Sequence, residues 1–342
     1  MEKVNYKDSG VNIEAGENAV NRIKPIVKST FNQNVLTNIG GFGGLYALDL
    51  KKWKEPILVS SVDGVGTKLI IAQKSGIFDT VGQDLVNHCI DDIFVMGATP
   101  QYFLDYIGVG ELVPKDIEDL ISGFAKACRE NGVSLIGGEM AEMPGIYKKE
   151  DYDLAGTIVG LVEKKNIITG EKIVAGDVVI GFKSTGLHTN GYSLARKIIF
   201  EKLNYTVDTI IPNLNKTVAE AFLAVHKSYY PILKKWATPE KIHGMAHITG
   251  GGIPGNLKRS IPDGLVAEID CSKWERPELF KFLEREGNVD SYEMYRAFNM
   301  GIGFNVVTNE KNAEEILKET DGILIGKILK SENNQKVKLI NI

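Results

Sequence analysis

The chain is poor in the features that would fix its class at a glance. Only three cysteines occur in 342 residues, Cys89, Cys128 and Cys271. Odd in number, widely spaced and without a Cys-x-x-Cys pair, they exclude a disulfide framework and a thiolate zinc cluster, and they fit a reducing compartment. Positive charge is not in excess. With a formal net charge of -4, the electrostatic footprint of a nucleic-acid-binding protein is missing, and the short basic runs Lys51-Lys52 and Lys234-Lys235 read as solvated faces. No window approaches the roughly 18 apolar residues of a membrane span, and the start MEKVNYKDSG lacks the apolar core of a signal peptide. Neither a short-period repeat nor a low-complexity tract is present. What is there, 43% apolar and 25% charged residues, is ordinary globular composition over a length sufficient for two domains with their own cores. A cytoplasmic protein without membrane or nucleic-acid partners is expected.

Along the chain, the first half alternates strands (57–60, 102–109, 133–136, 154–162) with helices (81–96, 115–131). A polar segment, 163–176, carries GEK and AGD turn signals and precedes a fresh apolar strand at 177–182. This places a domain boundary near Lys165 and divides the chain into 1–165 and 166–342. The second half predicts helices at 191–202, 216–236, 277–286 and 313–319, with strands at 245–248, 265–269, 302–307 and 322–328. Each half is expected to be an α+β layer, a sheet with helices on one side.

Two nucleotide fingerprints are absent in their usual form. In SVDGVGTKL (61–69) only Val65 separates Gly64 from Gly66, whereas a Walker loop needs four residues before its Gly-Lys pair. In GGFGGLYAL (40–48) a dinucleotide fingerprint would need its third glycine at Tyr46. Even so, SVDGVGTKL sets Asp63, Gly64, Gly66, Thr67 and Lys68 directly after an apolar run. A carboxylate repels phosphate unless a divalent cation sits between them, so the segment predicts a metal nucleotide held by another scaffold.

Four further clusters could carry chemistry. In the helix VGQDLVNHCIDDIFVM (81–96), steps of about 100° put Asp84, Asn87, His88, Asp91 and Asp92 within roughly 140° of one another. That stripe is either a solvated face or, since it holds no Lys or Arg, an oxygen-rich face for Mg²⁺. In GGEMAEMPG (137–145), Glu139 and Glu142 follow a buried-type strand and read as ligand contacts or as solvated loop residues. KSTGLHTNGYSL (183–194) presents His188, an acid or base or a structural histidine, ahead of a helix capped by Thr189 or Asn190. In HITGGGIPGN (247–256), Gly250, Gly251 and Gly252 form an anion nest or a flexible turn. His243 and His247 have ligand spacing, but Gly244 lies between them and no third ligand is evident, so zinc is not expected.

Together these motifs resemble the phosphoribosylformylglycinamidine cyclo-ligase family, the aminoimidazole ribonucleotide synthetases of purine biosynthesis. The carriers are YKDSGVNIEAG, GGFGGL, SVDGVGTKL, the D-x4-G-A-x-P signature as Asp92 with Gly97-Ala98-Thr99-Pro100, FLDY (103–106), GGEMAEMPG, HTNGYSL, AHITGGG and EMYRAFNMGIG. They span nearly the whole chain in this order. The resemblance implies two α/β domains, the first pairing with its mate across a homodimer to close a β-barrel and binding ATP, the second contributing to the substrate site. It implies ATP-driven ring closure of formylglycinamidine ribonucleotide to aminoimidazole ribonucleotide, with release of ADP and phosphate. Asp63 and Asp92 would hold Mg²⁺, with Asp91 and Glu139 as further candidates, while Gly64, Gly66, Thr67 and Lys68 would face the phosphates. His188 and Asn190 would handle protons and position substrate, and Gly250 to Gly252 would take the substrate phosphate. One departure stands out: the family usually has Asn where this chain has Asp91, and an apolar residue is common where it has His88. Relatives on the same scaffold fit less well. A selenophosphate synthetase should carry a reactive Cys near its start, and a hydrogenase-maturation protein should end in Cys. The alternatives are a thiamine-phosphate kinase and a nonenzymatic nucleotide-binding regulator.

Overall fold

Two main sheets and one two-stranded ribbon organise the chain, which a computed structural model describes over residues 10–331 and 334–342. Residues 6–9, which open the YKDSGVNIEAG segment, lie outside the described residues. Two compact units result, Met1–Ile93 with Pro100–Leu161, and Phe94–Thr99 with Val162–Ile342.

The first unit contains α1 (Ile13–Lys28), β1 (Pro56–Gly64), α2 (Leu69–Ser75), α3 (Asp79–Phe94), β2 (Thr99–Val109), α4 (Pro114–Asn131), β3 (Ser134–Glu142) and β4 (Tyr152–Glu163). Its strands are ordered β1-β4-β2-β3, with β2 and β3 parallel. Helices α1 and α4 pack on each other and on β3. Asn12 starts α1 by accepting the N–H of Ala15, which satisfies one of the amides a helix start leaves without a partner. Gly132, with φ 71°, closes α4 in the left-handed conformation that glycine adopts without strain. Helices α3 and α4 cross closely because both carry glycine at the contact. A Cβ on Gly82 would stand 2.3 Å from the Leu120 carbonyl oxygen, and one on Gly123 would stand 2.1 Å from that of Asp79.

The second unit contains β5 (Val178–Lys183), α5 (Tyr192–Arg196) running into a π-helical turn (Lys197–Lys202), β6 (Ile210–Ile211), β7 (Lys216–Thr217), α6 (Val218–Phe222) and α7 (Tyr230–Leu233). It continues with β8 (Gly244–His247), α8 (Gly252–Leu257), β9 (Leu265–Asp270), α9 (Glu278–Gly287), α10 (Ser291–Ala297), β10 (Ile302–Thr308), α11 (Glu310–Glu319), β11 (Ile323–Lys330) and β12 (Val337–Ile340). Six strands form one sheet in the order β12-β9-β11-β5-β10-β8, antiparallel except for the β12–β9 pair. Interior strand β10 is buried at every position and β5 at five of six, which is why both read as unbroken apolar runs.

Three of the expected elements take different bounds from the sequence reading. The single helix expected over 216–236 is broken: α6 stops at Phe222 and α7 begins at Tyr230, because Pro231 is tolerated only in a first helical turn. Strand β1 runs through Asp63 to Gly64 rather than ending at Ser60, and β3 runs through Glu139 to Glu142 rather than ending at Ile136. The glycines in these runs serve tight sheet packing. A Cβ on Gly64 would lie 3.0 Å from the Leu154 carbonyl oxygen in β4, and one on Gly138 would lie 2.3 Å from Asp105 Oδ1 in β2.

Candidate active site

Asp63 stands one residue from the end of β1, where its Oδ1 accepts the Gly64 N–H at 2.7 Å. Its other oxygen, Oδ2, lies 2.6 Å from Nε2 of His88, a residue of α3. One helical turn onward, Asp92 Oδ2 lies 3.8 Å from the same nitrogen and accepts a hydrogen bond from Ser61 Oγ at 3.3 Å. Strand and helix thus bring one ligand atom from each of Asp63, His88 and Asp92 within 4.8 Å of one another. The Asp63 and Asp92 side chains are 45% and 27% exposed, against 4% for His88. Burial pulls the His88 pKa down, but the hydrogen bond to Asp63 and the charges of Asp92, Asp63 and Asp84 outweigh it and hold the imidazole above its ordinary value. Two carboxylates and an imidazole, open on the carboxylate side, form a donor set that fits a divalent cation.

The remainder of the polar stripe is not solvated. Residues 81–91 are all buried. Lys68, expected to face phosphate, is itself fully buried and makes a 2.6 Å ion pair with the equally buried Asp84. Burial keeps its pKa below the usual lysine range despite that partner. Asn87 accepts from Asn131 Nδ2 at 3.0 Å, and Asp91, fully buried, stands outside the Asp63–His88–Asp92 group. Gly66 and Thr67 are exposed in the short 3₁₀ turn after β1, Gly66 with φ 69°. Cys89, on the same helix, is buried, and burial pushes its thiol well up, as befits an inert cysteine.

Glu139 does not join this group within one chain. It sits on β3, and β4 and β2 intervene before β1, a separation of about 14 Å at usual strand spacing. Instead it lines a cavity of about 580 Å³ with the glycine-rich loop 40–44 and Asp105. Burial foremost, opposed by its own backbone N–H and aided by the charge of Glu139, pushes the Asp105 carboxyl up to about 7. Glu142 is structural: its two oxygens accept the N–H groups of Asn12, at 2.6 Å, and Leu112, at 2.9 Å.

In the second unit the β5–α5 loop holds His188 fully buried at φ 63°. Its ring stacks on His226 at 4.0 Å between centroids, and His226 Nε2 meets His247 Nε2 at 3.0 Å. Room for this comes from Gly303 in β10, where a Cβ would stand 2.5 Å from His188 Cε1 and 2.2 Å from the Tyr229 hydroxyl. Asn299 fastens the loop by donating to the Gly186 carbonyl at 2.9 Å and accepting from Ser184 Oγ at 2.9 Å. Asn190 is half-buried, and a Cβ on Gly250 would come 3.4 Å from its Oδ1, so these two candidates are neighbours. Gly252 opens α8 under the Tyr295 carbonyl, 1.9 Å from where a Cβ would be, while Asn256 Nδ2 binds the carbonyls of Thr249, Gly250 and Gly252. The loop is therefore fastened rather than floppy. His243 turns away to Asp177 Oδ2, at 2.7 Å, and does not converge with His247.

Comparison with known proteins places these motifs in one lineage. Residues 47–162 match the AIR synthase related protein N-terminal domain, and residues 174–337 match its C-terminal domain. The phosphoribosylformylglycinamidine cyclo-ligase of Trichlorobacter lovleyi is 45% identical over 343 residues, covering 99% of this chain and 98% of the relative. That of Carboxydothermus hydrogenoformans is 47% identical over 337 residues, covering 97% and 98%. The chain belongs to the phosphoribosylformylglycinamidine cyclo-ligase family. More distant solved structures share the fold: a hydrogenase maturation protein HypE (TM-score 0.66, 18% identity, 92% of each chain) and the thiamine-monophosphate kinase of Stenotrophomonas maltophilia (TM-score 0.63, 16% identity, 93% and 95%).

Within this cyclo-ligase family member, two site residues escaped the sequence reading. His88 was visible on the polar stripe but not as the partner of Asp63, since nothing local couples a strand residue to one 25 positions on. His226 carries no motif at all; only the fold brings its loop, between α6 and α7, beside His188 and His247.

Proposed function

We infer that this chain catalyses the ATP-driven closure of formylglycinamidine ribonucleotide to aminoimidazole ribonucleotide, with ADP and phosphate as the other products, as a Mg²⁺-dependent cytoplasmic homodimer. The observation that carries the reading is the meeting of Asp63 and Asp92 at the end of β1, beside the exposed Gly66 and Thr67. A formamide oxygen leaves poorly. Phosphoryl transfer to it makes an iminophosphate, the substrate's amidine nitrogen attacks the activated carbon, and phosphate departs. The protein's work is then positioning and charge neutralisation.

A divalent cation held by Asp63 and Asp92 would supply neutralisation of phosphate charge. The exposed amides and hydroxyl of Gly66 and Thr67 would orient the phosphate chain. Lys68 contributes differently from expectation: as the buried partner of Asp84 it fixes the start of α2 against α3. We place substrate positioning on Asn190 and substrate phosphate on the Gly250–Gly252 turn beside it. His188, enclosed by His226 and Gly303, serves as a positioning residue for the loop that carries Asn190.

The test is incubation with ATP, Mg²⁺ and formylglycinamidine ribonucleotide, following the aminoimidazole by diazo coupling. Colour proportional to ADP released is expected. ADP formed only with thiamine phosphate would make the chain a kinase. ATP binding without turnover on either compound would make it a regulator.

A further inference from the structure

The paired carboxylates have an imidazole between them, and its placement is built in. His88 is 3% exposed, and α3 is buried on all sides from 81 to 91, so the ring has no course out to solvent. Its Nε2 faces Asp63 Oδ2 at 2.6 Å and Asp92 Oδ2 at 3.8 Å. Donor atoms around a six-coordinate divalent ion with bonds of about 2.1 Å stand about 3 Å apart. The Asp63 contact needs to open by only a few tenths of an ångström, and the Asp92 contact to close by less than one. Magnesium favours an all-oxygen shell, whereas imidazole suits Mn²⁺, Co²⁺ and their neighbours.

We propose that His88 is a direct cation ligand in this chain, making the site a nitrogen–oxygen donor set that favours borderline divalent ions such as Mn²⁺ and Co²⁺ over Mg²⁺. The proposal rests on the reading that Asp63 and Asp92 hold the cation of the nucleotide. Its rival is that His88 only orients the Asp63 carboxylate and never touches metal, as second-sphere histidines and carboxylates do elsewhere.

Electron spin-echo spectroscopy of Mn²⁺ on the full-length protein, alone and with a non-hydrolysable ATP analogue, separates the two. Expected is a directly coordinated ¹⁴N, converted to the ¹⁵N pattern by labelled histidine and lost in His88→Gln and His88→Met. Competition binding should show the preference for Mn²⁺ over Mg²⁺ falling about tenfold or more in either variant. Mn²⁺ that binds the wild-type protein in an Asp63-dependent way without nitrogen coupling overturns the proposal, and that measurement needs no variant at position 88. Mn²⁺ binding unaffected by Asp63→Asn overturns it too. The functional reading fails separately: wild-type cyclisation with Mg²⁺ and no ¹⁴N sinks the ligand assignment alone, whereas ¹⁴N coupling without cyclisation sinks the reaction.

Discussion

At the scale of single residues, neighbouring carboxylates on one helix have different fates. Asp92 is part-exposed and stands with Asp63 and His88, whereas Asp91 is enclosed. Asp63→Asn and Asp92→Asn are therefore expected to cost at least about tenfold in activity at limiting Mg²⁺ with little change in stability. Asp91→Asn should move stability and leave the Mg²⁺ requirement in place. A Mg²⁺ titration of rate beside urea unfolding checks all three, and a raised Mg²⁺ requirement in Asp91→Asn alone would reverse the assignment. Asp105 gives a pH-dependent case. Its carboxyl titrates near 7 when folded and near 4 when unfolded. Below pH 4 it is protonated in both states. As pH rises from 4 to 7 the unfolded chain releases this proton first, so stability falls, by at most about 4 kcal/mol, and the penalty is complete above 7. Asp105→Asn should thus stabilise the protein at pH 8 and have no such effect at pH 4, as read from urea midpoints. An equal effect at both values would mean that the carboxyl titrates normally.

At the scale of elements, α3 holds its place because glycine lets it approach α4. Gly82→Ala and Gly123→Ala each force a Cβ into a carbonyl oxygen, so each is expected to destabilise by about 1–3 kcal/mol or more and to weaken cation binding through displacement of His88 and Asp92. Gly16→Ala is the control. It lies in α1 with open space where its Cβ would go, and should gain about 0.5–1 kcal/mol. Calorimetry of the three variants decides it; a Gly82→Ala protein as stable as wild type would show that the helices are not held at contact. How far such elements can be read from sequence depends on how local their cause is. The apolar runs of β5 and β10 and the amphipathic α4 declare themselves, because burial alone dictates their pattern. Helix α1 was missed since Gly16 and Pro25 both interrupt its period, and α10 since Asp290 capping marks it more than hydrophobicity does. The α3 stripe showed which residues share a face but not that the face is internal, because burial of a polar face depends on Lys68, Asn131 and others arriving from elsewhere in the chain. Gly64 reads as a phosphate contact for a related reason: a glycine signals close approach without saying what approaches, and here it is the Leu154 carbonyl.

At the scale of the whole molecule, the first sheet ends on an edge that a lone chain would leave costly. Strand β1 is outermost in the order β1-β4-β2-β3 and turns Ile57, Leu58 and Val62 outward at 38%, 64% and 69% exposure, while Phe42 in the glycine-rich loop is fully exposed. An edge strand with apolar residues and no lysine among its nine invites pairing with another chain. The site points the same way. Asp63 lies one residue from the end of that strand, whereas Glu139, on the opposite edge strand β3, lines a cavity with the glycine-rich loop. Two copies joined through this sheet would supply one copy's Asp63 and Asp92 and the other's Glu139 to one nucleotide. We therefore expect sedimentation to give twice the chain mass at working concentration. Leu58→Asp with Val62→Lys should yield a monomer that has lost cyclisation while keeping its far-ultraviolet circular dichroism. Mixing an Asp63→Asn chain with a Glu139→Gln chain then distinguishes a shared site from two independent ones. In the shared arrangement the heterodimer has one site carrying both lesions and one carrying neither, so activity reappears, approaching a quarter of wild type when exchange is statistical. Independent sites would each keep one lesion, and the mixture would stay as inactive as its parents.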